Sequence, residues 1–235
     1  MRSRNEGANS LKLLVFDFDG VIADTEPCYI QSWQQIYESY HAEFPKDRYI
    51  KAIGCSDMPF DPYRDLLDRC IVGVRPRSRS SVVGLYKKYY SNLADRQPIM
   101  PGVQHLISSA KRDRVSLAVA SGAPFSWVGH HLQRLGLMGA FDHIVCLDDV
   151  TQGKPHPAVY NRVLSIADIR ADSAIAIEDS TNGIAAAKDA GVTCIAVQSS
   201  TTGVHDVSTA DAVIPSLEGA TVEHLLSLVG EDNGA

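Results

Sequence analysis

Two aspartates, Asp17 and Asp19, close an apolar run, Leu13-Leu14-Val15-Phe16, and Gly20 follows them. A short apolar run ending in a turn signal reads as a buried parallel strand. In an extended segment, residues two apart face the same side. The two carboxylates would then share one pocket at the carboxyl end of a strand, where open α/β sheets bind ligands. Close like charges call for a cation or a shared proton. A divalent ion answers that need, and all-oxygen ligands suit Mg²⁺. The competing reading is a pair of turn-capping aspartates, the common fate of an isolated Asp-x-Asp-Gly.

Three further segments carry groups that could join this pocket. Ser121-Gly122 follows the strand Val115–Ala120 and precedes a helix. A hydroxyl with backbone N–H groups at such a place can cradle a phosphate, although a serine there is also an ordinary cap. Lys154 lies in Gly153-Lys154-Pro155, between a strand and the next helix. Its ammonium could neutralise a phosphoryl group, or it could be an exposed loop lysine. Glu178 and Asp179 end a second apolar strand, Ile175-Ala176-Ile177, and precede a helix start. Either could complete the metal shell begun at Asp17, or serve the helix dipole instead.

The elements that must position these groups alternate along the chain. Asp24-Thr25-Glu26-Pro27 is a helix start with an Asp or Thr cap, and Ile30, Trp33, Tyr37 and Tyr40 follow at helical spacing. From there to about Gln97 the pattern is helical, broken near Pro45, Gly54, Pro59 and Gly73 to Pro76. Beyond the Pro98–Gly102 break, an amphipathic helix carries Val103, Leu106, Ile107 and Ala110. Strands are expected at 115–120, 143–147, 174–178, 192–197 and 212–214. Helices are expected around Phe125, Val128, Leu132 and Leu135, over 155–167 and over 181–190. Repeated strand–helix units of this length imply a doubly wound parallel sheet, an α/β core of residues 1–23 and 99–235. A helical insert, residues 24–98, interrupts it.

The chain has 235 residues, enough for a core and a smaller second unit. A net charge of −6 argues against nucleic-acid or membrane-surface partners. No apolar stretch approaches the ~20 residues of a membrane span. Met1–Ser10 lacks the apolar stretch of a signal peptide. Five scattered cysteines without a C-x-x-C fit reduced, buried thiols in a cytoplasmic protein. A monomer is the default. The insert carries 11 basic and 10 acidic residues, the remainder 11 and 18. A less acidic insert could admit an anion to an acidic core, but solvated helix faces explain the split as well. Arg75, Arg77 and Arg79 read as a solvated basic loop. His130-His131 show no third ligand at a suitable spacing for a metal. Trp33 and the insert's tyrosines read as core, with room for one of them to line the cleft.

Together these segments resemble the haloacid dehalogenase superfamily. Asp17-x-Asp19 is similar to its first motif, Ser121 to its second, Lys154 to its third and Glu178-Asp179 to its fourth, at intervals of 104, 33 and 24 residues. The insert and the stretch Glu178 to Gly191 resemble the beta-phosphoglucomutase-like subgroup, which has a small helical cap. The resemblance implies a phosphoric monoester hydrolase acting on a small phosphorylated metabolite. Asp17 would be its nucleophile and Asp19 its acid and base. Ser121, Gly122 and Lys154 would hold the phosphate. Mg²⁺ would be held by Asp17, the Asp19 carbonyl and Asp179, with Glu178 binding directly or through water. The presence of Asp19 argues against dehalogenation. Mutases of this kind carry an arginine after a cap Gly-x-Ser, where Gly54-Cys55-Ser56-Asp57 stands here. They also carry a histidine where this chain has Tyr29. Both departures favour plain hydrolysis. Lys51 lies near the Schiff-base lysine of phosphonate-cleaving relatives, but reads as an exposed helix lysine.

Overall fold

The computed structural model describes residues 11–52, 60–70, 74–198 and 206–230, the side chains of 50–52 excepted. The loop Gly54–Asp57, and with it Cys55, lies outside them, as does the side chain of Lys51. The first strand, β1 (Leu13–Phe16), is buried along its whole length. Four helices follow: α1 (Glu26–Ser39), α2 (Lys46–Ala52), α3 (Pro62–Arg69) and α4 (Arg79–Ala94). The alternating part then runs α5 (Val103–Arg112), β2 (Ser116–Ala120), α6 (Phe125–Arg134), β3 (His143–Val145) and α7 (Ala158–Ala167). It ends with β4 (Ala174–Glu178), α8 (Thr181–Asp189), β5 (Thr193–Val197), β6 (Ala212–Ile214) and α9 (Val222–Val229).

The strands form one sheet, ordered β3-β2-β1-β4-β5-β6, and all its pairings are parallel. The chain steps outward from β1 to β2 and β3, then crosses back to β4 on the other side of β1. That reversal makes the carboxyl ends of β1 and β4 the switch point at which such sheets bind ligands. The alternation along β1 divides the core. Leu14 and Phe16 pack with Val103, Leu106, Val128 and Leu225 on one face. Leu13 and Val15 pack with Val159, Tyr160, Val163 and Ile184 on the other. Helices therefore cover both faces of a parallel sheet, the doubly wound α/β class the sequence implied.

Helices α1, α3 and α4 share a third apolar cluster, with Ile30, Trp33, Ile36, Tyr37, Leu66 and Val82 at its centre. Local signals set two of their starts. The Asp61 carboxylate accepts from the backbone of Tyr63 and Arg64, and Ser78 with Ser81 forms a capping box. The chain enters and leaves this region side by side: Ala23 bridges Ile99, and Met100 N–H donates to the Ile22 carbonyl at 2.9 Å.

Several expected boundaries shift. The third strand stops at Val145 because residues 147–149 turn tightly, with Asp149 accepting from Cys146 N–H at 2.8 Å. The helix expected from Pro155 begins at Ala158. Thr25 occupies the N-cap position of α1 but makes no capping bond. Phe125, expected on the apolar face of α6, is 49% exposed at the first residue of that helix. Helix α9 carries no sequence signal singled out above. The four described cysteines are free and buried, and Arg75 and Arg77 are exposed. No described helix is long and apolar enough to cross a membrane.

Candidate active site

Backbone pairing brings the acids together. Asp17 N–H donates to the Ile177 carbonyl at 2.9 Å, which extends the β1–β4 ladder by one step. Asp17 thus stands level with Glu178, and Phe18 turns into the core on the opposite face. Asp17, Glu178 and Asp179 are all buried, with a carboxylate oxygen of each within 4.8 Å of the others.

Lys154 reaches this group from the loop after β3. Its ammonium donates to Asp17 Oδ1 at 2.7 Å and to Glu178 Oε1 at 2.5 Å, and its side chain is only 9% exposed. Tyr160 Oη, from α7, also donates to Glu178 Oε1 at 2.6 Å. A residue 137 positions along the chain from Asp17 therefore completes the same buried cluster, and an ordinary exposed lysine is excluded.

Two glycines allow the acids to sit this close. Gly20 has φ +82°, and a Cβ there would fall 1.8 Å from Asp179 Oδ2. A Cβ on Gly183 would fall 1.9 Å from Glu178 Oε2. Both carboxylates thus press against backbone that only glycine leaves open. At Gly122 a Cβ would meet open space, so that glycine answers no packing demand. Ser121 is buried, and its hydroxyl oxygen accepts from Ala123 N–H at 3.0 Å. It does not cap α6, because Phe125 N–H is taken by the Asp148 carboxylate at 2.7 Å.

Burial dominates the electrostatics. It pushes the Asp17 carboxyl up to about 7, against the pull of Lys154 and with help from Glu178 and Asp19. Burial, and then Asp17, carry Asp179 well above the ordinary carboxylate range. Burial alone would lower the Lys154 ammonium, but Asp17 and Glu178 hold it above its usual value. Asp19 is also raised by burial, in opposition to hydrogen bonds from Thr25 and Trp127. One ammonium thus faces several carboxylates in a low-dielectric setting, an arrangement that favours an added cation. Asp179 Oδ2 is buried and has no hydrogen-bond partner, and the donor set is all oxygen. These residues fit a hard divalent ion.

The pocket they line has a volume of about 460 Å³. Asp17, Asp19, Ser121, Gly122, Lys154 and Asp179 all open onto it, with Glu178 behind Lys154. Tyr29, Tyr90 and Trp127 form a further wall. Sequence reasoning missed Thr25, Trp127 and Tyr160 here. Thr25 Oγ1 donates to Asp19 Oδ1 at 2.5 Å instead of capping its helix. Trp127 Nε1 donates to the same oxygen at 3.0 Å. The threonine's place just after the acidic motif was the available signal.

His130 and His131 do meet a third group, Asp95, contrary to the sequence expectation. His130 Nε2 lies 2.7 Å from Asp95 Oδ1. Arg134 already supplies the positive charge there, donating to His131 Nδ1 at 3.3 Å and to the Gln97 carbonyl at 2.9 Å.

Comparison with known proteins bears on the whole chain. The family described as haloacid dehalogenase-like hydrolase matches residues 14–197. YhcW of Bacillus subtilis, provisionally named a phosphatase, is 31% identical over 193 residues, covering 82% of this chain and 86% of its own. A Thermotoga maritima protein named phosphorylated carbohydrates phosphatase is 30% identical over 187 residues, with coverages of 77% and 82%. A solved Thermotoga maritima structure, provisionally named a beta-phosphoglucomutase, superposes with a TM-score of 0.73. It is 25% identical and covers 93% of this chain and 97% of its own. The chain belongs to the haloacid dehalogenase-like hydrolase family, as an enzyme of the phosphoric monoester hydrolase type.

Proposed function

We propose that the chain is a Mg²⁺-dependent phosphatase of a small phosphorylated metabolite, a sugar phosphate by preference, working through an aspartyl-phosphate on Asp17. The observation that carries this reading is the Lys154 ammonium held between Asp17 and Glu178 beside the unpartnered oxygen of Asp179. The Thermotoga relative that acts on phosphorylated carbohydrates supports the substrate class.

In this reading an Asp17 oxygen attacks phosphorus while the bond to the leaving oxygen breaks. Asp19 gives that oxygen its proton, and later takes one from the water that cleaves the acyl phosphate. Lys154, Ser121 and the backbone at Gly122 hold the phosphoryl oxygens. Glu178 spends one oxygen on Lys154 and Tyr160, so its first task is to hold that lysine. Asp17, Asp179 and the Asp19 carbonyl would hold the ion, with Glu178 assisting through water. When bound, Mg²⁺ would keep Asp17 ionised and offset charge on the phosphoryl oxygens. Residues 24–98 would act as a cap over a core of residues 1–23 and 99–235, enclosing the substrate between them.

Mutase chemistry is the second reading. It needs a site for a second phosphate, and among the described residues lining the pocket Lys154 is the one basic side chain. Hydrolysis is therefore preferred. The test is inorganic phosphate release from a panel of phosphorylated metabolites, with Mg²⁺ and with chelator. Metal-dependent release by the native chain is expected, with at least about 10³-fold loss in Asp17→Asn. Dependence on a sugar bisphosphate with little net release would transfer the case to the mutase. Unchanged turnover in Asp17→Asn would overturn both.

A further inference from the structure

We propose that Trp127 is a positioning residue for Asp19, and that rings of the helical insert hold Trp127 in place for that task. The proposal rests on the acid and base role given to Asp19 above. Asp19 Oδ1 takes two hydrogen bonds, one from the Thr25 hydroxyl at 2.5 Å and one from the Trp127 indole at 3.0 Å. An indole N–H can only donate. Together the indole and the Thr25 hydroxyl occupy both lone-pair sites of Oδ1, so in the acid form the carboxyl proton is directed to Oδ2. Neither donor touches Oδ2, and Asp19 lines the pocket with Trp127. The indole thereby selects which oxygen of Asp19 delivers the proton, and fixes the plane of the carboxyl group.

The indole is itself held from two sides. Tyr90 of α4 stacks on it at 4.8 Å with an interplanar angle of 11°. The His131 ring meets it edge-on at 4.3 Å. Tyr90 in turn stacks on Tyr29 of α1 at 4.4 Å and runs parallel to Tyr86 at 5.9 Å, which stacks on Trp33 at 4.9 Å. A column of rings from the insert's apolar cluster therefore ends on the side chain that holds the acid. Stacked rings favour a defined mutual orientation, and the column therefore restricts the indole on one side of the pocket.

The test compares two substrates in one sample. Phenyl phosphate releases a phenol with a pKa of about 10 and needs a proton from the enzyme. Para-nitrophenyl phosphate releases a far weaker base and does not. Trp127→Phe keeps a ring for the stack and removes the N–H. For this variant, kcat/KM on phenyl phosphate should fall about tenfold while para-nitrophenyl phosphate changes less than about twofold. The ratio of the two is independent of the fraction of folded enzyme, so partial misfolding cannot imitate the result. Equal losses on both substrates would overturn the positioning role. Asp19→Asn is the control for the underlying reading and should shift the same ratio further. If it does not, the assignment of Asp19 fails; if it does and Trp127→Phe leaves the ratio unmoved, only the inference about Trp127 fails.

Discussion

At the carboxyl edge of the sheet, Asp17, Glu178 and Asp179 are buried together against one ammonium, that of Lys154. At the end of α4, Asp95 also lies within coordination reach of His130 and His131 on α6. In the second group, Asp95 is matched by His130 at 2.7 Å, and Arg134 ties His131 to the Ala94 and Gln97 carbonyls at and just after the end of α4. Each group leaves one buried atom without a hydrogen-bond partner, Asp179 Oδ2 in the first and His131 Nε2 in the second, but only in the first does negative charge exceed positive. Proximity is common to both groups; a buried surplus of charge belongs to one. That surplus is what a divalent ion and a phosphoryl group would use, whereas the histidine group already works as a clamp between α4 and α6.

The sharpest way to break this contrast is to fill the space on which the acids depend. Gly183→Ala should cost about 3 kcal/mol or more, the upper range for overpacking, because its Cβ would overlap Glu178. Gly20→Ala adds left-handed backbone strain to a clash with Asp179. It should also abolish the rise in melting temperature expected when Mg²⁺ is added to the native chain. Urea titration and thermal melts with and without Mg²⁺ read both effects, and a metal response kept in Gly20→Ala would count against Asp179 as a ligand.

The clamp should reveal itself through pH instead of metal. Burial holds His131 down to about 4 from an ordinary 6.5, so the folded protein resists a proton that the unfolded chain accepts. Its contribution is whole above pH 6.5 and is lost as pH falls toward 4, by up to about 3 kcal/mol. Urea titrations at pH 7 and pH 4.5 should show a smaller acid loss in His131→Gln than in the native chain. Equal losses would mean that His131 takes up its proton while folded. A far smaller effect is expected at the exposed rim. Arg79→Ala removes a 2.8 Å ion pair with Asp61, and should change stability by less than about 1 kcal/mol without touching turnover.

The contrast also explains what could be read from the sequence. Asp17, Glu178 and Asp179 are placed by strand ends, and strand ends are local: an apolar run, then acids, then a turn. The strands 174–178 and 212–214 were legible to the residue for the same reason. Lys154 was legible as a loop cation, but only the sheet order shows it to be buried. Trp127 was not legible, because it lies 108 residues from its partner Asp19 on an amphipathic helix that offers apolar residues in plenty. Thr25 holds the N-cap position that the sequence suggests, but its hydroxyl goes to Asp19, six residues back, and not to the helix backbone. Helical spacing puts Phe125 on a buried face, yet periodicity cannot show that the first residue of α6 stands exposed.

The most direct test of the central claim is to trap the covalent intermediate. The enzyme is mixed with substrate and Mg²⁺, quenched in acid within a single turnover, and reduced with borohydride, which converts an acyl phosphate to the alcohol. Peptide mass spectrometry should then find homoserine at position 17, present only with substrate and absent from Asp17→Asn. Substrate turnover with no modification at Asp17, or with the modification at another carboxylate, would contradict the account.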